Sequence, residues 1–205
     1  MMQTLPTPKT VTYAEFVECK PENKRCELHN GVVFEMNQPL GDHEDITSFA
    51  AERITAEYLR LNLPYRIPKT VLVKTPENES AYSPDVLVLN RSNLSNEPLW
   101  KKYSTVTQPE SIPLVIEVVS TNWRVDYLTK VKDYEEIGIS EYWIVDYLGL
   151  GGTPYIGNPK KPTISIYNLV NGEYEVKQFR GDEIITSATF PELELTANQM
   201  FNAGI

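Results

Sequence analysis

Apolar residues at Ile46, Phe49, Ala50, Ile54, Tyr58 and Leu61 recur at helical spacing with charges between them. That periodicity predicts an amphipathic helix over 43–62, ended by Pro64 and lying on a sheet. Before it, Thr12 with Glu15 reads as a capping box for a short helix to about Cys19, closed by Pro21. Asn30-Gly31 between Arg25–His29 and Val32–Met36 predicts a β-hairpin, because both turn positions tolerate positive φ. Strands are expected at 66–74 and 84–90, followed by a long polar connection from Asn90 to Pro113 that carries Trp100, Lys101, Lys102 and Tyr103. Leu114–Ser120, a helix over 123–138 and Glu141–Tyr147 form a strand, helix, strand crossover, so its two strands should be parallel. After a glycine-rich loop, a second hairpin is expected around Asn171-Gly172 between 163–169 and 174–179, then an acidic tail.

Composition narrows the function classes. The 205 residues suffice for one domain with a real core. A formal charge of -9 argues against wholesale binding to a polyanion. The segment 60–132 departs from that average, with 10 basic against 7 acidic side chains. Cys19 and Cys26 lie too awkwardly for a mutual disulfide, which suits a reducing, cytoplasmic setting. There is no signal-peptide h-region and no apolar run long enough to span a membrane.

Three charges stand where apolar residues belong, and such breaks mark functional positions. Glu117 sits inside Leu114-Val-Ile-Glu-Val-Val-Ser120, where a carboxylate needs a cation. Asp85 stands at the mouth of an apolar strand, directly after Pro84, where it either serves chemistry or satisfies turn hydrogen bonds. Lys130 falls with Trp123, Tyr127, Tyr134 and Ile137 inside a helical arc of roughly 80°, whereas Lys132 points the opposite way. Lys130 either works in a site or snorkels over aromatic faces. Two acids on neighbouring strands with one inward lysine suit a hard divalent cation and phosphoryl chemistry. The histidine and cysteine spacings fit no zinc pattern, and the glycine-rich loop lacks the ending of a phosphate-binding loop.

The same residues carry a resemblance. Pro84-Asp85 followed by Glu117-Val118-Val119 is similar to the PD-(D/E)XK nuclease superfamily, with valine where that pattern has its lysine. Glu27-Leu28, Gly31, His43, Ser83-Pro-Asp85, Glu117-Val-Val-Ser120, Asp126, Lys130, Tyr134, Gly138, Glu141–Asp146 and Phe190-Pro-Glu-Leu resemble the bacterial restriction-endonuclease-like family whose lysine has migrated to the following helix. The resemblance implies an α/β fold with a mixed central β-sheet flanked by helices and with N- and C-terminal hairpins. It implies residues 1–11 as a flexible N-terminus and 12–205 as one domain. It further implies Asp85, Glu117 and the Val118 carbonyl as metal ligands, Glu27 as a third or outer ligand, Lys130 as the catalytic lysine, and Mg²⁺, replaceable by Mn²⁺, as cofactor. Glu27 also reads as a cross-strand ion-pair partner. Tyr134 and Asp126 either position Lys130 or pack and pair with it, and His43 is a cap or site-rim residue. The expected function is Mg²⁺-dependent DNA cleavage by a homodimer, with no membrane partner. The competing readings are a non-cleaving nuclease-fold module that binds nucleic acid or protein, and a small-molecule hydrolase using the same metal.

Overall fold

The computed structural model describes residues 9–21 and 24–204, so most of the N-terminus expected to be flexible lies outside the described residues. Val11 donates to the Gly31 carbonyl at 2.7 Å. Thr12 and Glu15 make the reciprocal capping box that opens α1 (Tyr13–Cys19). Asn30 and Gly31, at φ 48° and 81°, turn β1 (Cys26–His29) into β2 (Val32–Glu35). Cys19 is exposed, Cys26 is buried, and both are free.

The amphipathic helix is α2 (Gly41–Arg60), whose Ile46, Ala50 and Ile54 are buried. The single strand expected over 66–74 is instead two, β3 (Tyr65–Arg66) and β4 (Leu72–Lys74). Pro68 lies between them, and a residue without an N–H cannot continue a ladder. Next come β5 (Ala81–Tyr82) and β6 (Val86–Asn90), so Pro84 and Asp85 lie between strands rather than at the start of one. The long polar connection from Asn90 to Pro113 holds α3 (Trp100–Tyr103) and β7 (Thr105–Val106). Buried Glu97 organises it by accepting from the Thr107 N–H and hydroxyl and the Gln108 N–H, at 2.9, 3.0 and 3.0 Å.

Then follow β8 (Leu114–Val118), a π-helical stretch (Val125–Lys130) that continues as α4 (Val131–Ile137), and β9 (Glu141–Asp146). As the crossover requires, β8 and β9 are parallel. The chain ends with α5 (Thr153–Ile156), the hairpin of β10 (Thr163–Val170) and β11 (Glu173–Phe179), and α6 (Ala197–Phe201).

These strands form the mixed β-structure that was expected, divided over two sheets. One is ordered β2-β1-β5-β4-β7 and the other β11-β10-β9-β8-β6-β3. The two hairpins are edges of different sheets, and the chain passes from one sheet to the other through Ser83, Pro84 and Asp85. On β8 the period of two sends Leu114, Ile116 and Val118 into the core shared with α2 and α6. Val115 and Val119 go to the opposite core, with Tyr127, Tyr134 and Ile137 of the following helix. Glu117 lies between Val115 and Val119 in that alternation, so it points at the helix that carries Lys130. Among the described residues no helix is long and apolar enough to cross a membrane.

Candidate active site

Lys130 is only 3% exposed, and its Nζ lies 2.9 Å from Glu117 Oε1, 3.3 Å from Asp126 Oδ1 and 3.6 Å from Glu27 Oε1. Three elements therefore meet at one ammonium: β8, β1 and the π-helical stretch. In that stretch the wider turn closes on the pair Asp126 and Lys130, and such turns recur at functional sites. Lys132 leaves toward solvent, where it pairs with Glu136 at 3.4 Å.

Tyrosine rings surround this cluster. The Tyr134 hydroxyl donates to Glu117 Oε1 at 3.1 Å, and Lys130 Nζ lies 5.8 Å from the centroid of the Tyr82 ring. Tyr82 packs edge-on against Tyr134, which packs edge-on against Tyr142. Tyr82 in turn donates its hydroxyl to buried Asp133. Glu27 accepts the Ser83 N–H at 2.9 Å, which ties β1 to the crossing between sheets, and its other oxygen lies 2.8 Å from His29 Nε2.

The second half of the site is Asp85. Its Oδ2 accepts the Val118 N–H at 2.9 Å. His43, 7% exposed near the start of α2, donates from Nε2 to the Val118 carbonyl at 3.0 Å and stands 3.4 Å from Asp85 Oδ2. His43 is thus inside the site rather than a helix cap. Its Nδ1 is buried without a hydrogen-bond partner among the described residues.

The electrostatics follow from crowding. Burial pulls the Lys130 ammonium down, but Glu117, Glu27 and Asp126 outweigh it and hold the pKa well above the ordinary lysine value. Burial raises the Glu117 carboxyl well above its usual range, and Asp85 and Asp126 add to this while Lys130 opposes it. Asp126 is pushed up to about 6, first by burial and then by its carboxylate neighbours, against Lys130. Burial opposes ionisation of Glu27, yet Lys130, His29 and the Ser83 N–H bring it down to about 2. His43 is desolvated, but the carboxylate of Asp85 and the Val118 carbonyl raise it overall. One ammonium thus serves more carboxylate charge than it neutralises.

Asp85, Glu117 and the Val118 carbonyl offer hard oxygens at the C-terminal end of β8. Among the described residues no three His, Cys, Asp or Glu side chains stand as a ready cage, which does not suit a closed zinc centre. Mg²⁺ is held through one or two carboxylates and keeps several waters, so this oxygen set with its surplus negative charge fits it.

All eight residues singled out in the sequence lie in this neighbourhood. Reading the sequence missed His29, Tyr82 and Asp133. His29 was legible, since it shares a strand face with Glu27 two residues away; Asp133 is brought in only through Tyr82, across 51 residues. The aromatic and basic stretch 100–103 lies on the edge of the other sheet, beside β7.

Comparison with known proteins gives the following. The sequence profile described as "Uma2: Putative restriction endonuclease" matches residues 13–198. The crystal structure of a "putative nuclease belonging to DUF820" from Anabaena variabilis ATCC 29413 superposes with a TM-score of 0.72 at 17% identity, covering 95% of this chain and 99% of that one. At that identity the likeness establishes the mixed α/β fold. No curated protein matches the chain.

Proposed function

The chain belongs to the Uma2 family, and on that premise we propose that it is a Mg²⁺-dependent endonuclease of the PD-(D/E)XK type, hydrolysing DNA phosphodiester bonds. The observation that carries the reading is the convergence of Asp85, Glu117 and buried Lys130, with the Val118 carbonyl, at one end of β8. Lys130 replaces, from the helix, the lysine that the superfamily pattern puts at Val119.

In this reading Asp85, Glu117 and the Val118 carbonyl would hold Mg²⁺, which when bound would neutralise phosphate charge and make an attacking water more acidic. Asp85 is oriented by the Val118 N–H, and His43 locks the carbonyl and the carboxylate side by side. Lys130, kept charged by Glu27 and Asp126, presents a fixed positive charge where negative charge develops on the reacting phosphoryl oxygens. Tyr134 holds Glu117 in place through its hydroxyl. Glu27 touches Lys130, His29 and the Ser83 N–H, so it serves as an outer residue that positions the lysine.

The test pairs calorimetry with cleavage. Wild type should bind Mg²⁺ or Mn²⁺ and nick plasmid DNA, Asp85→Ala should lose both, and Lys130→Ala should lose cleavage. Cleavage that persists in both variants belongs to a contaminant and sinks the reading, as does absence of metal binding. Cutting both strands calls for two sites, so we also propose a homodimer; a monomeric mass by light scattering contradicts that part.

A further inference from the structure

A groove of about 380 Å³ opens beside this site. It is lined by Tyr147 and Leu148, which follow Asp146 at the end of β9, and by Phe201 of α6. Lys161, Arg180 and Asp42 line it as well. Its place relative to the site follows from the fold. Asp42 directly precedes His43 on α2, and Val145 on β9 is in register with Val118 on β8, so the groove and the carboxylates share one end of the parallel strand pair.

The groove's chemistry is two-sided. Leu148 is an exposed apolar side chain, 56% accessible, and lines the groove next to Tyr147. Arg180 is fixed by neutral groups, donating to the Thr163 hydroxyl at 2.9 Å and to the Ile156 carbonyl and Gln178 side-chain oxygen at 3.0 Å. Among the described residues neither it nor Lys161 has a carboxylate partner. A second cavity, about 690 Å³ between α2 and residues 191–194, differs in this respect. There Arg60 is already paired with Glu57 and Glu192.

We propose that this groove seats one nucleotide of the substrate DNA strand next to the scissile phosphate, its base against Tyr147 and Leu148 and its phosphate on Lys161 and Arg180. The volume lies at the lower end of the roughly 300–1,000 Å³ that ligand pockets span, which suits a single nucleotide unit. An aromatic and apolar wall beside cations is what recognises an unpaired base with its phosphate, whatever the sequence. The inference rests on the nuclease reading and deepens it: on a protein of net charge -9 it gives the DNA a defined place to land.

The experiment titrates a fluorescein-labelled 20-nucleotide single-stranded DNA with the full chain, followed by anisotropy over a salt series, in EDTA and again with Ca²⁺ in place of EDTA. Lys161→Glu should bind roughly tenfold more weakly, with a salt slope shallower by about one. Leu148→Asp should also weaken binding, while Lys132→Glu, with the same charge change on the solvent face of α4, should stay within about twofold of wild type. Calorimetric Mg²⁺ binding should be the same in all of them. Equal losses in Lys161→Glu and Lys132→Glu overturn the groove, since a general field would then account for binding. No binding of the single strand by wild type in either condition overturns the groove, and no binding of a duplex of the same sequence with Ca²⁺ overturns the DNA substrate as well. Groove-dependent DNA binding by a protein that takes up no metal supports the groove and overturns only the metal-dependent reading.

Discussion

Replacing Lys130 by methionine removes the one cation that Glu117, Asp126 and Glu27 share, at 2.9, 3.3 and 3.6 Å. At an effective dielectric near 20, each such contact carries a gross attraction of about 5 kcal/mol. Desolvation of the buried ammonium and repulsion among the carboxylates offset most of the sum. Removing one partner from a buried pair has a net cost of about 3–5 kcal/mol, because charge is left uncompensated. With a urea m-value of about 2–3 kcal/mol/M, the unfolding midpoint should fall by about 1–2.5 M at pH 8.

The deficit should also depend on pH in a definite direction. Without the ammonium, the carboxylates titrate above their unfolded values, so the folded variant binds more protons than the unfolded chain. The destabilisation is then complete above the folded pKa values and shrinks as pH falls toward the unfolded range near 4. Tryptophan fluorescence in urea at pH 8 and pH 5, for Lys130→Met, Lys132→Met and wild type, reads this directly. Lys132→Met should lie within about 0.5 kcal/mol of wild type at both pH values. An unchanged midpoint for Lys130→Met at pH 8, or a deficit equal at the two pH values, refutes the reasoning.

Other expectations follow from the same coordinates. In metal-free buffer the wild-type melting temperature should rise as pH falls from 7 to about 5, because the folded state takes up a proton at Asp126, raised from 3.8 to about 6. It should then drop below about 4.5, where the unfolded chain takes up a proton at Glu27 that the folded state, with this carboxyl lowered to about 2, does not; a steady decline from pH 7 contradicts the first half. Glu141→Ala strands three buried donors, the Trp143 indole, the Ser187 hydroxyl and the Thr189 N–H, and should cost about 2–4 kcal/mol in urea unfolding. A loss under 1 kcal/mol would mean that water takes over their bonds. Gly152→Ala puts a Cβ 2.8 Å from the Trp123 ring and should destabilise by about 1–3 kcal/mol by the same measurement. Thr12→Ala opens the capping box and should cost about 1 kcal/mol; no change in stability would show that α1 frays already in the native protein.

Local rules determined the elements that depend on a few neighbouring residues. The capping box at Thr12, the turns at Asn30-Gly31 and Asn171-Gly172, α2 and the parallel crossover of β8 and β9 are all where spacing and turn chemistry put them. Glu117 and Lys130 were legible for the same reason, since a charge on an apolar strand or stripe violates a pattern of period two or 3.6. Lys130 separates from Lys132 even though the turn containing it is π rather than α, because two residues still span nearly half a turn.

Tertiary structure decided what depends on residues far apart in the chain. The division of the strands into two sheets was not legible, since no local rule says that the chain changes sheets at Ser83–Asp85 or that β3 and β4 part company. Nor was the contact of His43 with the Val118 carbonyl, 75 residues away, which turns a residue at a helix start into part of the site. Sequence pattern reports which face of its own element a residue occupies, because that follows from backbone geometry within a few residues. Which faces meet is set by packing across the whole domain, and the charge balance of the site, three carboxylates closing on one ammonium, exists only once they have met.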